Sequence, residues 1–234
     1  MNNQTLLEIQ LDRLQKVSHD IERDVEDRFV NLIKLKRAEL VYRMYSDLAD
    51  EEQYRKAIGF LADDLLGGNQ LGQRGHELLK AKKPMVKILP DALIGTVARS
   101  VEFTAITLQI DIALAKYVAK TGFADAALTD ETYIHAARSA VPREWLDTQT
   151  GLVVKVGEEI ESVVRRPFVA SALRMCRTPA YMMGLGGLQD FLERGFEAFR
   201  AMRNPGRFIE VFSERESIIV NDIYTGGSTT FSAG

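Results

Sequence analysis

At 234 residues the chain is long enough to bury a substantial core without disulfide staples. Thirty basic and thirty-three acidic residues leave a net charge of −3, which provides no electrostatic footprint for nucleic acid. A single cysteine, Cys176, excludes an internal disulfide and fits a reducing, cytoplasmic compartment.

From Thr5 to about Asp50 there is neither proline nor glycine. Apolar residues recur at Leu7, Leu11, Leu14, Val17, Ile21 and Val25, then at Phe29, Leu32, Ile33, Leu40, Met44 and Leu48. The spacing predicts helix throughout or two helices parted near Ser18-His19-Asp20, and the length favours a break. Residues 1–25 form an N-terminal arm of near-heptad spacing. It can make a homo-oligomer by pairing with a second copy or pack back on its own domain.

Asp50 and Gln53 have the spacing of a capping box, so a new helix is expected there, with Tyr54, Ile58, Leu61 and Leu65 as its stripe and Gly67-Gly68 as its end. A short helix is expected from about Arg74 to Lys82, beside a basic group of Lys80, Lys82, Lys83 and Lys87 that reads as a solvated face.

Pro90 to Thr121 has the pattern of a long, largely buried helix. Ile94, Val97, Val101, Ala105, Leu108, Ile112 and Ala115 recur at steps of three and four. Pro90 suits a first helical position and Gly122 a left-handed stop. Between Ala92 and Ala115 the charged residues are Arg99, Glu102 and Asp111, too few for a helix with a solvated face. Those charges and Gln109 make a membrane span costly, and no membrane partner is expected.

Thr129 or Asp130 can cap a short helix reaching about Ser139, and Pro142 opens another that contains Trp145. Val153, Val156, Ile160, Val163 and Val164 continue on one side until Pro167 forces a kink or a new start near Arg166. Gly184 to Gly187 reads as a turn, and Leu188, Phe191, Leu192, Gly195, Phe199 and Met202 as the next stripe. Asn204-Pro205-Gly206 is a stop before a last helix, Phe208 to about Tyr224. The expectation is an all-α bundle of roughly seven to ten helices around one long central helix. Residues 1–224 would form a single domain and 225–234 a flexible tail.

YRKAIGFLADDLLGG (Tyr54 to Gly68) resembles the segment that names the FFLEELY-motif proteins, a bacterial family. LPDALIGTVARSVEFTAITLQIDIAL (Leu89 to Leu114) and RRPFVASALRMCRTPAYMMGLGGLQDFLERGFEAF (Arg165 to Phe199) resemble later parts of the same family. Within the naming motif Gly59 replaces an aromatic residue, Ala62 a carboxylate and Leu66 the tyrosine. The resemblance covers roughly residues 25–224 and implies a cytoplasmic bacterial protein. It carries no catalytic residue across, because the family has no established activity.

The residues themselves supply no catalytic set. His19, His76 and His135 lack a carboxylate three positions before them, so the paired Glu-x-x-His motif of a dimetal bundle is missing. No metal and no cofactor are expected. Cys176 reads as an ordinary core cysteine. Gly184-Leu185-Gly186-Gly187 could offer N–H groups to an anion but reads better as a flexible turn. Asp190, Glu193 and Glu197 are spaced for local pairs with Arg194 and Arg200. Met175, Met182, Met183, Met202 and the nearby phenylalanines read as core.

Glu102 on so apolar a helix must be paired or have its proton affinity raised. Arg165, Arg166 and Arg174 are the expected partners. The arrangement is either an internal ion pair or, with Gln109, the polar floor of a ligand pocket between the central helix and residues 165–199. The leading expectation is a non-catalytic helical protein that binds an unknown protein or small molecule. The alternative is a small-molecule carrier or cofactor-independent enzyme using that pocket.

Overall fold

The computed structural model describes residues 2–67, 76–81, 91–122 and 128–226, and every regular element among them is helical. Helix α1 (Asn3–Asp24) is opened by Asn2, whose side-chain oxygen accepts the Thr5 N–H at 2.8 Å. It passes through Ser18-His19-Asp20 without interruption and ends where Val25 turns extended (φ −138°, ψ 134°). Val17, buried in the apolar cluster that also takes side chains of residues 94–108, holds the helix through this polar stretch by packing rather than by propensity.

Helix α2 (Asp27–Met44) stops at Tyr45, α3 (Ser46–Asp50) is one short turn, and α4 (Glu52–Gly59) starts after an extended Glu51. Among the described residues these breaks give more helical segments than the expected seven to ten, within the expected all-α fold. The capping box does not form. Asp50 ends α3, and Gln53 Oε1 instead accepts the Arg203 N–H at 3.0 Å, tying α4 to a distant part of the chain.

Helix α4 runs into a π-helical turn, Phe60–Leu66, closed by Gly67 N–H donating to Ala62 O at 2.8 Å. A side chain at Gly67 would collide with that carbonyl and with Ala38 Cβ, so the turn lies against α2 only because position 67 is glycine. Gly68 and the basic residues Lys82, Lys83 and Lys87 lie outside the described residues; 76–81 are helical (α5), with Lys80 exposed.

Helix α6 (Asp91–Thr121) is the long central helix, 31 residues or ~46 Å. Pro90 lies outside the described residues, and Gly122 closes the far end in the left-handed region at φ +73°. No described helix is long and apolar enough to cross a membrane.

Thr129 caps α7 (Asp130–Ala140), and α8 (Arg143–Val164) carries both Trp145 and the valine stripe. The break falls at Arg165-Arg166, with Pro167 in the first turn of α9 (Pro167–Met182). Helix α9 continues through Pro179. The carbonyl that loses its donor belongs to solvent-exposed Met175, where water can replace it. Gly184 turns the chain at φ +71° into α10 (Gly186–Ala201). Asn204 then caps α11 (Pro205–Thr225), three residues before the expected start, by accepting the Arg207 N–H at 3.1 Å. Thr225 is still helical, and the rest of the expected tail, from residue 227, lies outside the described residues.

Among the described residues three apolar clusters fill the interior, and α6 contributes to each. Ile94, Val101 and Leu108 meet Leu7, Leu11 and Leu14 of α1. Ile106, Ile110 and Leu114 meet Ile33, Tyr133 and Ile219. Phe103 joins Tyr45, Tyr54, Phe208 and Phe212. The heptad-like stripe of the N-terminal arm is therefore occupied by α6. Self-association through α1 would have to use its outer face, where Ile9 is exposed.

Candidate functional site

Glu102 and Gln109 share one face of α6, but the arginine they meet is Arg13 of α1. Arg13 Nη2 donates to Gln109 Oε1 at 2.5 Å, and Nη1 lies 4.0 Å from Glu102 Oε1. Glu102 keeps a quarter of its side-chain surface exposed and Arg13 about a third, so this is a partly solvated pair. The expected partners are elsewhere. Arg165 donates to the carbonyls of Met202 and Arg203 at 3.2 and 3.3 Å, while Arg166 and Arg174 are exposed. An ion pair does join α6 to the helix before the proline break, with reversed polarity: Arg99 on α6 holds Glu159 on α8.

The buried polar centre lies deeper. Arg37 of α2 reaches across to Asp111 of α6, with Nη2 at 2.5 Å from Oδ1. Its Nη1 donates to Leu66 O at 2.9 Å and its Nε to Tyr133 Oη at 3.4 Å. Leu66 ends the π-helical turn, whose altered register places that carbonyl toward α2. Burial opposes the charge on Arg37, but Asp111 and Tyr133 more than offset it and hold the guanidinium above its ordinary range. Asp111 is fully buried, and among the described residues its Oδ2 has no hydrogen-bond partner.

Arg37 also lines a cavity of about 80 Å³ enclosed by α2, α6, α7, α8 and α11, together with Tyr45, Tyr133, Gln149 and Glu216. Tyr45 donates to Glu216 Oε1 at 2.8 Å. Glu216 retains some exposed surface as a residue, yet its carboxyl is densely surrounded by protein. That burial pushes it up to about 7, against the opposing effects of the Tyr45 hydrogen bond and the Arg37 charge. This cavity is not between α6 and residues 165–199, where a pocket was expected. It is smaller than the ~150 Å³ apolar cavity that accommodates benzene in an engineered protein core.

The segment 165–199 presents a surface instead. Phe168, Met175 and Met182 lie on one side of α9 and are 61%, 78% and 84% exposed; Met183 is exposed beside them. Of the methionines expected in the core, Met202 alone is there, at 1% exposure. Cys176 is also exposed rather than buried. Leu173 and Ala180 turn the opposite side of α9 toward α10. The glycine turn between these helices does present an N–H to an anion, but the anion belongs to the chain. Glu77 Oε2 accepts the Leu188 N–H at 2.5 Å, and a side chain at Gly187 would stand 2.8 Å from Glu77 Oε1. The ion pairs of α10 likewise run across helices rather than locally. Glu193 pairs with Arg177, Glu197 with Lys56, and Arg194 with Asp64.

Residues 19–230 match the family described as Domain of unknown function (DUF8198). The chain belongs to this DUF8198 family. Neither the curated proteins nor the solved structures provide a match.

In this DUF8198 chain the residue pattern gives Arg37 and Glu216 no place in a site, and marks Asp111 only as one of three charges on the central helix. One signal was available: Asp111 is the acidic residue nearest the C-terminal part of the apolar run, flanked by Ile110 and Ile112. A carboxylate so placed must find a cation. Nothing local marks Arg37 as that cation. Among the described residues, no group of three or more histidine, cysteine or acidic side chains is arranged to hold a metal ion.

Proposed function

We propose that this DUF8198 protein is a non-catalytic binding protein whose working surface is the outward face of α9. The observation that carries the reading is the exposure of Phe168, Met175 and Met182 along one stripe of a helix that contains no carboxylate. Contiguous exposed apolar surface on a folded chain marks a contact site. Methionine's flexible thioether suits it to such a surface. By contrast, Arg37 is held by Asp111, Tyr133 and a carbonyl, an arrangement that fastens α2 to α6.

The test is a photo-crosslinking side chain introduced at Met175 or Met182, with exposed Glu131 on α7 as the control position. Discrete adducts formed in extract of the native host from 175 and 182, and absent from 131, are expected. Equal or absent labelling at all three overturns the reading.

A second reading, a small-molecule carrier, is favoured by the cavity beside Arg37 and Glu216. It would accept only a ligand of a few heavy atoms. A mass excess in native spectra, lost on denaturation, is its test. We also place the chain with the bacterial, cytoplasmic FFLEELY-motif proteins. The similarity of Tyr54 to Gly68 supports this, and that stretch forms α4 and the π-helical turn. The single cysteine agrees with a reducing compartment.

A further inference from the structure

A second surface complements α9. Helices α8 and α11 approach closely at Gly157, where a side chain would stand 3.3 Å from Ile209. Beside this contact runs a cleft of about 370 Å³ with Val154 and Ile209 in its walls and Glu158, Glu161, Glu210 and Glu214 around it. Lys155 pairs with Glu158 at 3.4 Å within α8, and the other three glutamates have no ion-pair partner among the described residues. Four carboxylates around one cleft lined mostly by polar residues repel one another and favour a cationic, partly apolar occupant.

Helix α9 has that chemistry. It contains no acidic residue; Arg174, exposed to one side of the stripe, and Arg166, exposed just before the first turn, meet no carboxylate among the described residues. The stripe from Phe168 to Met182 spans ~21 Å along the helix axis. We infer that α9 of one copy docks into the α8–α11 cleft of a second copy of the chain. This inference rests on the reading of α9 as the working surface.

Pairing α9 with α9 across a two-fold axis would join two acid-free faces and leave the acidic cleft unoccupied. An anionic membrane would satisfy α9 but leave the acidic cleft empty. Head-to-tail docking satisfies both surfaces at once. Because donor and acceptor are different patches, such contacts propagate into a ring or an open chain.

Two variants test this. Met175→Asp/Met182→Asp removes the donor surface, and Glu158→Lys/Glu210→Lys reverses the acceptor. All four positions are largely exposed, so unchanged circular dichroism and melting curves are expected and verify folding. In sedimentation velocity, the wild type should form species above the 26.2 kDa chain as concentration rises. Each variant alone should remain at chain mass, with association weakened at least tenfold. An equimolar mixture should form a dimer and nothing larger, because the intact cleft of one variant receives the intact α9 of the other.

A wild type that stays at chain mass at every concentration overturns the inference. So does a mixture that fails to combine, which would point to α9–α9 pairing if the donor variant alone loses assembly. If the wild type is monomeric while crosslinkers at Met175 capture a different protein, second-copy docking fails and the working surface stands. Co-sedimentation of wild type, but not of the donor variant, with vesicles containing anionic lipid would likewise replace the second copy with a membrane surface.

Discussion

Asp111 and Arg37 lie 2.5 Å apart in the interior, on helices otherwise held together by apolar contacts. Removing either partner leaves a buried charge without its counterion. Asp111→Ala and Arg37→Ala are each expected to cost ~3–5 kcal/mol in chemical denaturation. Arg37→Met/Asp111→Leu should recover most of that loss, since an apolar pair of similar volume avoids desolvating either charge. A loss below ~1 kcal/mol for Asp111→Ala would contradict its role as a buried counterion.

Glu216 predicts a pH dependence of defined sign. Its folded-state proton affinity is raised from the ordinary 4.5 to about 7, so between those values the folded chain binds more protons than the unfolded chain. This contribution is fully present below about 4.5 and is lost as pH rises through 7. It amounts to up to ~3 kcal/mol. Denaturation midpoints across this range should fall with pH more steeply in wild type than in Glu216→Gln. Parallel curves for the two proteins would rule this out.

Gly187 and Glu77 form a testable pair. A side chain at 187 would crowd the carboxylate that accepts the Leu188 N–H, so Gly187→Ala should destabilise by ~1–2 kcal/mol. The same substitution in a Glu77→Ala background should cost less, because the crowded group is gone. Strict additivity in this cycle would mean that the two positions do not interact.

The two carboxylates facing arginines from α6 and α8 should differ in weight. Glu102→Ala is expected to change stability by ~0–1 kcal/mol, since its pair with Arg13 is 4.0 Å long and partly solvated. Glu159→Ala, which releases Arg99, should cost ~1–3 kcal/mol. Thermal unfolding of the two variants under identical conditions checks the order, and a larger loss at Glu102 would reverse it.

Features local to one helix could be read from the residues: the length of α6, its left-handed stop at Gly122, the Thr129 cap and the break before Pro167. Each follows from spacing or from the conformational preference of one residue type. Side-chain partners were not legible in the same way. Arg13 meets Gln109 and Arg37 meets Asp111 across 96 and 74 positions of sequence, and no local pattern specifies such a meeting. Position inside or outside the bundle was also hidden. Met175 and Met202 occur at equally regular helical spacing, yet one faces solvent and the other the core. The stripe on α9 shows only that one side is apolar; whether a neighbouring helix covers it depends on how α8, α9 and α10 are turned relative to one another.

The central helix has a consequence for how the molecule opens. Because α6 supplies side chains to all three apolar clusters, no cluster can melt while the others keep their full complement of neighbours. Amides in the middle of α6 should therefore exchange with solvent deuterium only through global unfolding. Helix α9 contributes little to those clusters beyond Ala180, so its amides can exchange through local fraying that leaves the bundle intact. The proposed binding surface is thus carried by a segment whose order is decoupled from that of the core, and its mobility can change without loss of the fold.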